Sequence, residues 1–221
     1  MTQGLQITKL HKGIDKLHLF YGDCNLNAIY GAGCVQNPNF MFIFMNPTGK
    51  NVSSNPNWAG LRAPWLGTKN IWKMISQLGF ISNKTNKQIQ RPHNNWTPQF
   101  SQDLYTEVAN NSLYITNLAK CTQPDARPLK KGVFKKHLVI MFKEIELVNP
   151  KVIVTFGQQV SSLLLNKAIT MKDYANTEKE ILFIGKNSYD VYPTFYPVGQ
   201  GLRNMPKAIK RIKSIKNPKS T

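Results

Sequence analysis

Short apolar runs that end in turn-forming residues constrain the fold of this chain more than any other feature. Three separated segments show this pattern: FMFIFMNPTGKN, LYITNLAKC and TFYPVGQGLRN. Each begins as a buried strand and ends in small, amide or aromatic residues. In open α/β sheets, ligands bind at the rim formed by the carboxyl ends of the strands. The sequence therefore predicts that Asn46, Asn117 and Tyr196 converge on one rim.

Predicted strands alternate with predicted helices along the chain. Strands are predicted at 40–45, 113–118, 151–156, 181–184 and 191–195. Helices are predicted at 14–21, 68–80, 134–147, 158–165 and 205–215, with a helical turn at 103–108. Thr68 is the expected cap of the second helix. Strand and helix in alternation favour an α/β fold, here a three-layer α-β-α sandwich with a mainly parallel central sheet.

The remaining segments are predicted as loops or terminal extensions. Residues 48–66 are rich in Asn, Ser, Gly and Pro, and the polar segment 81–101, which carries His93 and Trp96, is expected to be a surface loop. The length of 221 residues favours a single domain over 1–221. Within it, we expect an N-terminal helix and loop at 1–38 and a basic C-terminal helix and tail at 206–221.

The charge of the chain indicates a polyanionic partner. The 29 Lys and Arg residues against 11 Asp and Glu give a net charge of +18 and a pI near 9.9. Such an excess favours nucleic acid, although a generally basic, solvated surface is the alternative. Cations concentrate after the last acid, Asp190: Lys207, Lys210, Arg211, Lys213, Lys216 and Lys219. Their spacing predicts a phosphate-binding helix face, with a frayed soluble tail as the alternative.

The sequence gives little support for a metal site, a disulfide framework or a membrane-spanning segment. Cys24, Cys34 and Cys121 show no CxxC spacing, which favours a reducing compartment. His11, His18, His93 and His137 show no metal-binding spacing, and PTGKN lacks the other residues of a P-loop. The longest apolar run is too short to cross a bilayer. We expect a soluble, monomeric, cytoplasmic protein, associated with the nucleoid or located in the nucleus if it is eukaryotic.

The predicted rim is poor in acids. No Asp or Glu occurs between Asp23 and Asp103, so the first segment offers Asn46 where many hydrolases offer a carboxylate. Taken singly, each candidate has a structural explanation: Asn46 with Pro47 is a common turn, and Asn117 can cap a loop. Trp65 is explained as a core aromatic, Leu202 as an ordinary loop residue and Arg203 as a solvated charge. Only their ordered combination favours a functional site.

That combination resembles the uracil-DNA glycosylase superfamily over roughly residues 40–215. MNPTG is similar to the first motif of the mismatch-specific and single-strand-selective branches, where an asparagine replaces the acid. NIWKMISQLGF resembles the helix that follows in the mismatch-specific branch, and ITNLAKC resembles the strand that carries the base-reading asparagine. PKVIVTFGQ is similar to the next strand-to-helix unit.

The resemblance implies a role for each candidate residue. Asn46 would position water, and Asn117 would read the base through its amide. Trp65 would stack on the flipped base, and Met45 is included with the base-binding residues. Base stacking on an aromatic ring is worth about 1–3 kcal/mol. An amide pairs with N3–H and O4 of uracil, whereas cytosine presents the opposite pattern.

The last segment departs from the superfamily. Members usually carry a histidine before the proline and serine of this loop, and here Tyr196, Pro197 and Val198 correspond. A tyrosine can donate a hydrogen bond to a developing oxyanion on the base. GQGLRN resembles the loop that enters the minor groove, with Leu202 as wedge. The DNA-binding set that the resemblance and the charge pattern imply is Pro197, Gly199, Gly201, Leu202, Arg203, Lys207, Lys210 and Arg211.

One branch of the superfamily holds an iron–sulfur cluster on four cysteines. Cys24 and Cys121 correspond to two of those positions, and Tyr21 and His137 to the others. Two thiolates are too few for an ordinary cluster, so we expect no cofactor and treat Cys121 as a small buried hydrophobe.

Together, these observations predict a monofunctional DNA glycosylase of base excision repair. Because Asn46 cannot take up a proton, the enzyme is expected to be slow. The alternative is a non-catalytic DNA-binding or lesion-recognition protein on the same fold.

Overall fold

The computed structural model describes residues 3–92, 96–126 and 129–217, so His93 and Lys219 lie outside the described residues. Within the described ranges, six strands form one sheet in the order β1-β3-β2-β4-β6-β5. The strands are β1 (Ala32–Gly33), β2 (Phe40–Phe44), β3 (Leu113–Asn117), β4 (Val152–Phe156), β5 (Glu180–Ile184) and β6 (Asn187–Thr194). The helices are α1 (Gln3–Tyr21), α2 (Asn70–Gln77), α3 (Asn83–Gln90), α4 (Pro98–Asn110), α5 (Lys131–Val148), α6 (Gln158–Leu165) and α7 (Met205–Lys216).

The four inner strands run parallel. β2 lies between β3 and β4, and β6 pairs with β4, whereas the edge strands β1 and β5 are antiparallel to their neighbours. The register pairs Phe44 with Asn117 and Phe156 with Thr194, so the carboxyl ends of the inner strands meet at one edge. This arrangement confirms the predicted mainly parallel α/β sheet.

Apolar cores cover both faces of the sheet. Phe42 and Phe44 pack with residues of α2, α4 and α7, whereas Met41 and Ile43 pack with residues of α5 and α6. All four side chains are at most 1% exposed, which explains why β2 reads as a continuous apolar run. Helices on both faces produce the predicted three layers.

The N-terminal helix is longer than its apolar spacing indicates. α1 begins at Gln3 instead of Ile14. Its first half contains few apolar residues, so periodicity alone does not predict it. The helix packs against α5, and tertiary contact supplies the stability that the local pattern lacks.

The segment 81–101 is not a structureless loop, and that prediction was wrong. The Ser82 hydroxyl caps α3 by accepting from the Thr85 amide at 3.1 Å, and Thr97 caps α4 by accepting from the Phe100 amide at 3.1 Å. Ile89 anchors α3 in the core with no exposed surface. Two capped helices therefore occupy a stretch whose polar composition suggested a loop.

Two smaller predictions also differ from the structure. Thr68 does not cap α2, which begins after Lys69 without a side-chain cap. Instead, the Thr68 hydroxyl donates to the Trp65 carbonyl at 2.7 Å. The two-residue strand β1 was predicted as loop, since a strand this short has no detectable periodicity. No helix in the described ranges combines the length and the apolar character needed to traverse a bilayer.

Candidate active site

A pocket of about 290 Å³ opens at the carboxyl ends of β2 and β3. Its lining includes four predicted site residues from distant segments: Asn46, Trp65, Asn117 and Tyr196. The volume is at the lower end of the range of ligand pockets, roughly 300–1,000 Å³. Larger surface cavities exist, such as one of about 540 Å³ between α1 and α5, but that cavity contains none of these side chains.

Asn46 lies two residues after the end of β2 and is partly buried. Its Nδ2 donates to the Pro47 carbonyl at 3.2 Å, so Oδ1 is the atom that remains to accept a hydrogen bond. The turn is fixed to the segment after β3, because Ala119 donates its amide to the Met45 carbonyl at 3.0 Å. Gln123 donates in the same way to the Pro47 carbonyl at 3.1 Å.

Trp65 occupies a left-handed backbone conformation, with φ of 66°. Its carbonyl accepts from the Thr68 hydroxyl at 2.7 Å and from Trp72 Nε1 at 3.1 Å, which holds this uncommon geometry in place. The ring packs edge-on against Phe44 with centroids 4.9 Å apart. The indole Nε1 is buried and has no hydrogen-bond partner among the described residues. A fixed aromatic ring therefore forms one wall of the pocket.

Asn117 ends β3 and is 3% exposed. Its backbone is tied to neighbouring residues, whereas its side-chain amide makes no hydrogen bond to the described residues. The amide lines the pocket, so one donor group and one acceptor group are available to a ligand there.

Tyr196 lies on the loop that follows β6 and is partly buried. Burial raises the pKa of its phenol to about 12, so the side chain is protonated and neutral near pH 7. The Tyr196 carbonyl lies so close to Gly201 that a Cβ at residue 201 would collide with it. The loop thus folds back tightly against Tyr196.

Two lysines at the pocket were not predicted as site residues. Lys50 and Lys69 belong to the lining, and no carboxylate does among the residues that the structure describes. Lys69 Nζ donates to the Arg91 carbonyl at 2.7 Å, which ties the pocket wall to the end of α3. A cation inside PTGKN, a segment already predicted to reach the rim, is the signal that could have identified Lys50. The pocket is therefore electropositive as well as rich in amides.

The loop after Tyr196 presents an exposed tip beside the pocket. Residues Gly199–Asn204 form a 3-10 turn, and Gly199 adopts a φ of 57°. Leu202 is 44% exposed, and Arg203 is exposed as well. Lys207 and Lys210 follow on the exposed side of α7. An apolar side chain flanked by cations is thus accessible from solvent.

Comparison with known protein families agrees with this geometry. The family model of the uracil DNA glycosylase superfamily matches residues 30–214. The chain belongs to the uracil-DNA glycosylase superfamily. The matched span contains the pocket and the exposed loop, so the resemblance of the superfamily motifs is confirmed, while the branch within the superfamily stays a prediction. A search of curated proteins found no match to this chain.

Two residues expected at the superfamily site are placed elsewhere. The side chain of Met45 packs with the core on the α5 side of the sheet, on the face opposite Phe44. A contact between Met45 and the base stays a prediction. Pro197 is buried, and a direct DNA contact through this residue stays a prediction.

Arg211, which was predicted to contact DNA, uses its hydrogen-bond donors within the fold. The side chain is 1% exposed, and its pKa is lowered by burial. Nε donates to the Pro193 carbonyl at 2.7 Å, and Nη2 donates to the Glu178 carbonyl at 2.5 Å. Nη1 donates to the Asn176 carbonyl at 2.5 Å. The guanidinium therefore attaches α7 to β6 and to the segment before β5.

The residues at the cluster positions of one superfamily branch lie in different environments. Cys24 is exposed, whereas Cys121 is buried, and burial raises the pKa of its thiol to about 11. His137 Nδ1 accepts from the Lys120 amide at 3.3 Å, so one of its ring nitrogens is already in use. No group of three His, Cys, Asp or Glu side chains in the described ranges is arranged to hold a metal ion.

Proposed function

We propose that this protein is a monofunctional DNA glycosylase that removes uracil, or a related deaminated or mismatched base, by hydrolysing the N-glycosidic bond. The observation that carries the proposal is the convergence of Asn46, Trp65, Asn117 and Tyr196 in one pocket. Membership of the uracil-DNA glycosylase superfamily supports the general activity. The geometry of the pocket supports assignments for individual residues.

Base recognition is assigned to Asn117 and Trp65. The unpaired amide of Asn117 can accept from N3–H of uracil and donate to O4, a pairing that cytosine cannot make. The Trp65 ring offers a stacking surface for the flipped base, worth about 1–3 kcal/mol. Flipping costs a few kcal/mol and is least costly at a mismatch, which adds selectivity.

Bond cleavage is assigned to Asn46 and Tyr196. The bond breaks through a cation-like sugar and an anionic base, so the enzyme must stabilise negative charge on the base and admit water. The neutral phenol of Tyr196 can donate a hydrogen bond to the developing oxyanion, and Lys50 and Lys69 add positive potential. Asn46 Oδ1 can orient the water but cannot take its proton, so a slow turnover follows.

DNA contact is assigned to the exposed loop and α7. Leu202 is positioned to enter the space left by the flipped base, and Arg203, Lys207 and Lys210 are exposed for phosphate contact. The net charge of +18 favours a polyanionic substrate.

The test is excision from labelled oligonucleotides that carry uracil opposite guanine, uracil in single strands, thymine opposite guanine, or hypoxanthine. Alkali treatment should reveal strand cleavage for at least one substrate. Asn46→Ala should reduce the rate by about 10²–10³-fold, the range for loss of one group that stabilises the transition state. Asn39→Ala is the matched control, since Asn39 is an exposed asparagine at the opposite end of the same strand.

A different outcome would favour the non-catalytic alternative. Salt-sensitive DNA binding without alkali-labile sites on any substrate would identify a lesion-binding protein, and Tyr196 in place of the usual histidine would then be the first residue to exchange. Full excision by Asn46→Ala would refute the role of Asn46.

A further inference from the structure

A buried ion pair lies behind Asn117, on the face of the sheet opposite the pocket. Lys120 Nζ and Glu144 Oε2 are 2.5 Å apart, and the two side chains are 1% and 0% exposed. Burying two charges carries a desolvation penalty that the ion pair alone often fails to offset. A pair of this kind calls for a structural or functional explanation.

The hydrogen bonds of the pair end at the backbone of Asn117. The Lys120 ammonium has three donors, and it meets the Glu144 carboxylate, the Thr116 hydroxyl and, at 2.6 Å, the Asn117 carbonyl. The other carboxylate oxygen of Glu144 accepts from the Tyr114 hydroxyl at 2.8 Å and from the Thr116 hydroxyl at 3.0 Å. The ammonium therefore donates hydrogen bonds to Thr116 and Asn117, and its contact with Glu144 Oε2 is an ion pair without hydrogen-bond geometry.

The Asn117 carbonyl needs such a donor because the sheet does not supply one. The Leu118 amide donates to the Phe44 carbonyl at 2.7 Å, so alternation along the strand turns the Asn117 carbonyl away from β2. On that other side, β1 pairs only with Tyr114 and Ile115. Lys120 thus satisfies a carbonyl that lies beyond the end of β1.

Strand alternation also separates the two faces of β3. The side chains of Tyr114 and Thr116 contact the ion pair, whereas that of Asn117 lines the pocket. A group that fixes the Asn117 backbone from behind consequently determines where its amide points.

We infer that Lys120, oriented by Glu144, is a positioning residue for base selection. It holds the Asn117 carbonyl and thereby directs the unpaired amide of Asn117 into the pocket. This inference rests on the proposed function for its consequence in base selection, but the ordering of the Asn117 amide can be measured without enzyme activity.

The test replaces both charges with neutral side chains of similar size. Lys120→Met alone would leave the Glu144 carboxylate buried without its partner, so the variant of choice is Lys120→Met with Glu144→Gln. Tyr114→Phe is a milder second variant that removes one hydrogen bond from Glu144. Val160→Ala, buried in α6 within the same apolar core and away from the pocket, is the control for a general loss of stability.

The first readout is the ¹⁵N NMR signal of the Asn117 side-chain NH₂, assigned from its disappearance in Asn117→Asp. We expect an ordered amide in the parent and in Val160→Ala, and fast side-chain motion in the double variant. An equally ordered amide in the double variant would overturn the inference, whatever the protein does to DNA.

The second readout is the affinity ratio for DNA carrying 2′-fluoro-2′-deoxyuridine against 2′-fluoro-2′-deoxycytidine, both resistant to cleavage. The ratio should fall by about tenfold in the double variant, as expected for the loss of one well-oriented hydrogen bond. An unchanged ratio together with a mobile amide would overturn the role in base selection. If the parent binds uracil selectively but never excises it, the proposed catalysis is refuted. The affinity ratio would still test whether Lys120 positions Asn117 for base selection.

Discussion

Tyr196 lies where the resemblance to the superfamily predicts a histidine. Its phenol is neutral because burial raises the pKa to about 12, whereas an unperturbed histidine titrates near neutral pH. The chemistry assigned to this position is therefore hydrogen-bond donation by a group with constant charge.

Two substitutions test the role of the Tyr196 hydroxyl as a hydrogen-bond donor. Tyr196→Phe keeps the ring and removes the donor, and we expect single-turnover excision to fall by about 10²–10³-fold with little change in DNA affinity. Tyr196→His should introduce a pH dependence with a midpoint below the ordinary histidine pKa of about 6.5, because the burial that raises the pKa of the phenol lowers that of an imidazole. Rates measured from pH 5 to 9 would test both expectations. A parent rate that changes sharply near pH 6.5 would contradict the assignment, since Tyr196 cannot titrate there.

Individual residues show which parts of the site could be predicted from the sequence. Asn46, Trp65 and Asn117 were predicted because each lies in a segment whose order matches a superfamily motif, and the structure brings them together. Met45 does not line the pocket, and strand alternation explains its position. Phe44 faces the pocket side, so the next side chain must face the opposite core. Lys50 was missed because PTGKN was compared only with a P-loop, although the segment was already predicted to reach the rim.

At the scale of elements, α7 divides its cations between two tasks. Lys210 is exposed, whereas the adjacent Arg211 is buried and bonded to three backbone carbonyls. Charge spacing in the sequence made the two residues look equivalent. Their environments differ because one faces solvent and the other faces the sheet.

Substitution at each of these positions should therefore produce a different defect. Lys210→Glu should weaken DNA binding and make its salt dependence shallower, with unchanged thermal stability. Arg211→Met should lower the free energy of unfolding by about 1–3 kcal/mol, because the carbonyl of the buried Pro193 loses its donor and the exposed Asn176 and Glu178 carbonyls lose theirs to water. Salt-dependent anisotropy and urea denaturation would measure the two effects. Lys172→Glu, an exposed position in a 3-10 turn, is the charge-matched control. Normal stability of Arg211→Met would contradict the structural role.

The helices that were missed share a physical cause. α1 and α3 are mostly polar, so their apolar positions are too few for a clear period of 3.6 residues. α3 is held by the Ser82 cap and by Ile89, and α1 by its packing against α5. Capping was visible in the sequence, but packing between elements distant in the chain was not.

At the scale of the whole molecule, the fold class was predictable because strands that are buried on both faces have a recognisable sequence pattern. Strands covered on both faces become continuous apolar runs, and the helices between them impose parallel pairing. The extents of α1 and β1 depend on contacts between distant segments, and local sequence does not encode them.

Global stability should depend on pH through His137. Burial, aided by the charge of Lys120, lowers the pKa of this histidine to about 4. In the unfolded chain, the pKa is near 6.5, so between these values the unfolded state binds more protons than the folded state. Stability therefore rises with pH across this window. It is lost as pH falls from about 6.5 to 4, by on the order of 3 kcal/mol.

Urea denaturation at pH 7.5, 6, 5 and 4.5 would measure this slope. His137→Gln removes the titrating group and should flatten the dependence, although its stability at pH 7.5 is expected to be lower. His11→Gln is the comparison at a second histidine whose pKa burial also lowers. An identical slope in the parent and in His137→Gln would show that other groups control the acid sensitivity.

The tight turn around Gly201 connects the exposed loop at Leu202 to the pocket. The Gly201 amide donates to the Val198 carbonyl at 2.9 Å, and a side chain at Gly201 would meet the Tyr196 carbonyl. The backbone of this turn is closely packed against Tyr196, so we expect Leu202 and Tyr196 to move together. An intact base pair would resist entry of Leu202. Because the two residues move together, it would also prevent the Tyr196 hydroxyl from reaching the position in which it donates to the base. Undamaged DNA would be protected by mechanical coupling within the loop, in addition to the chemical selectivity of Asn117.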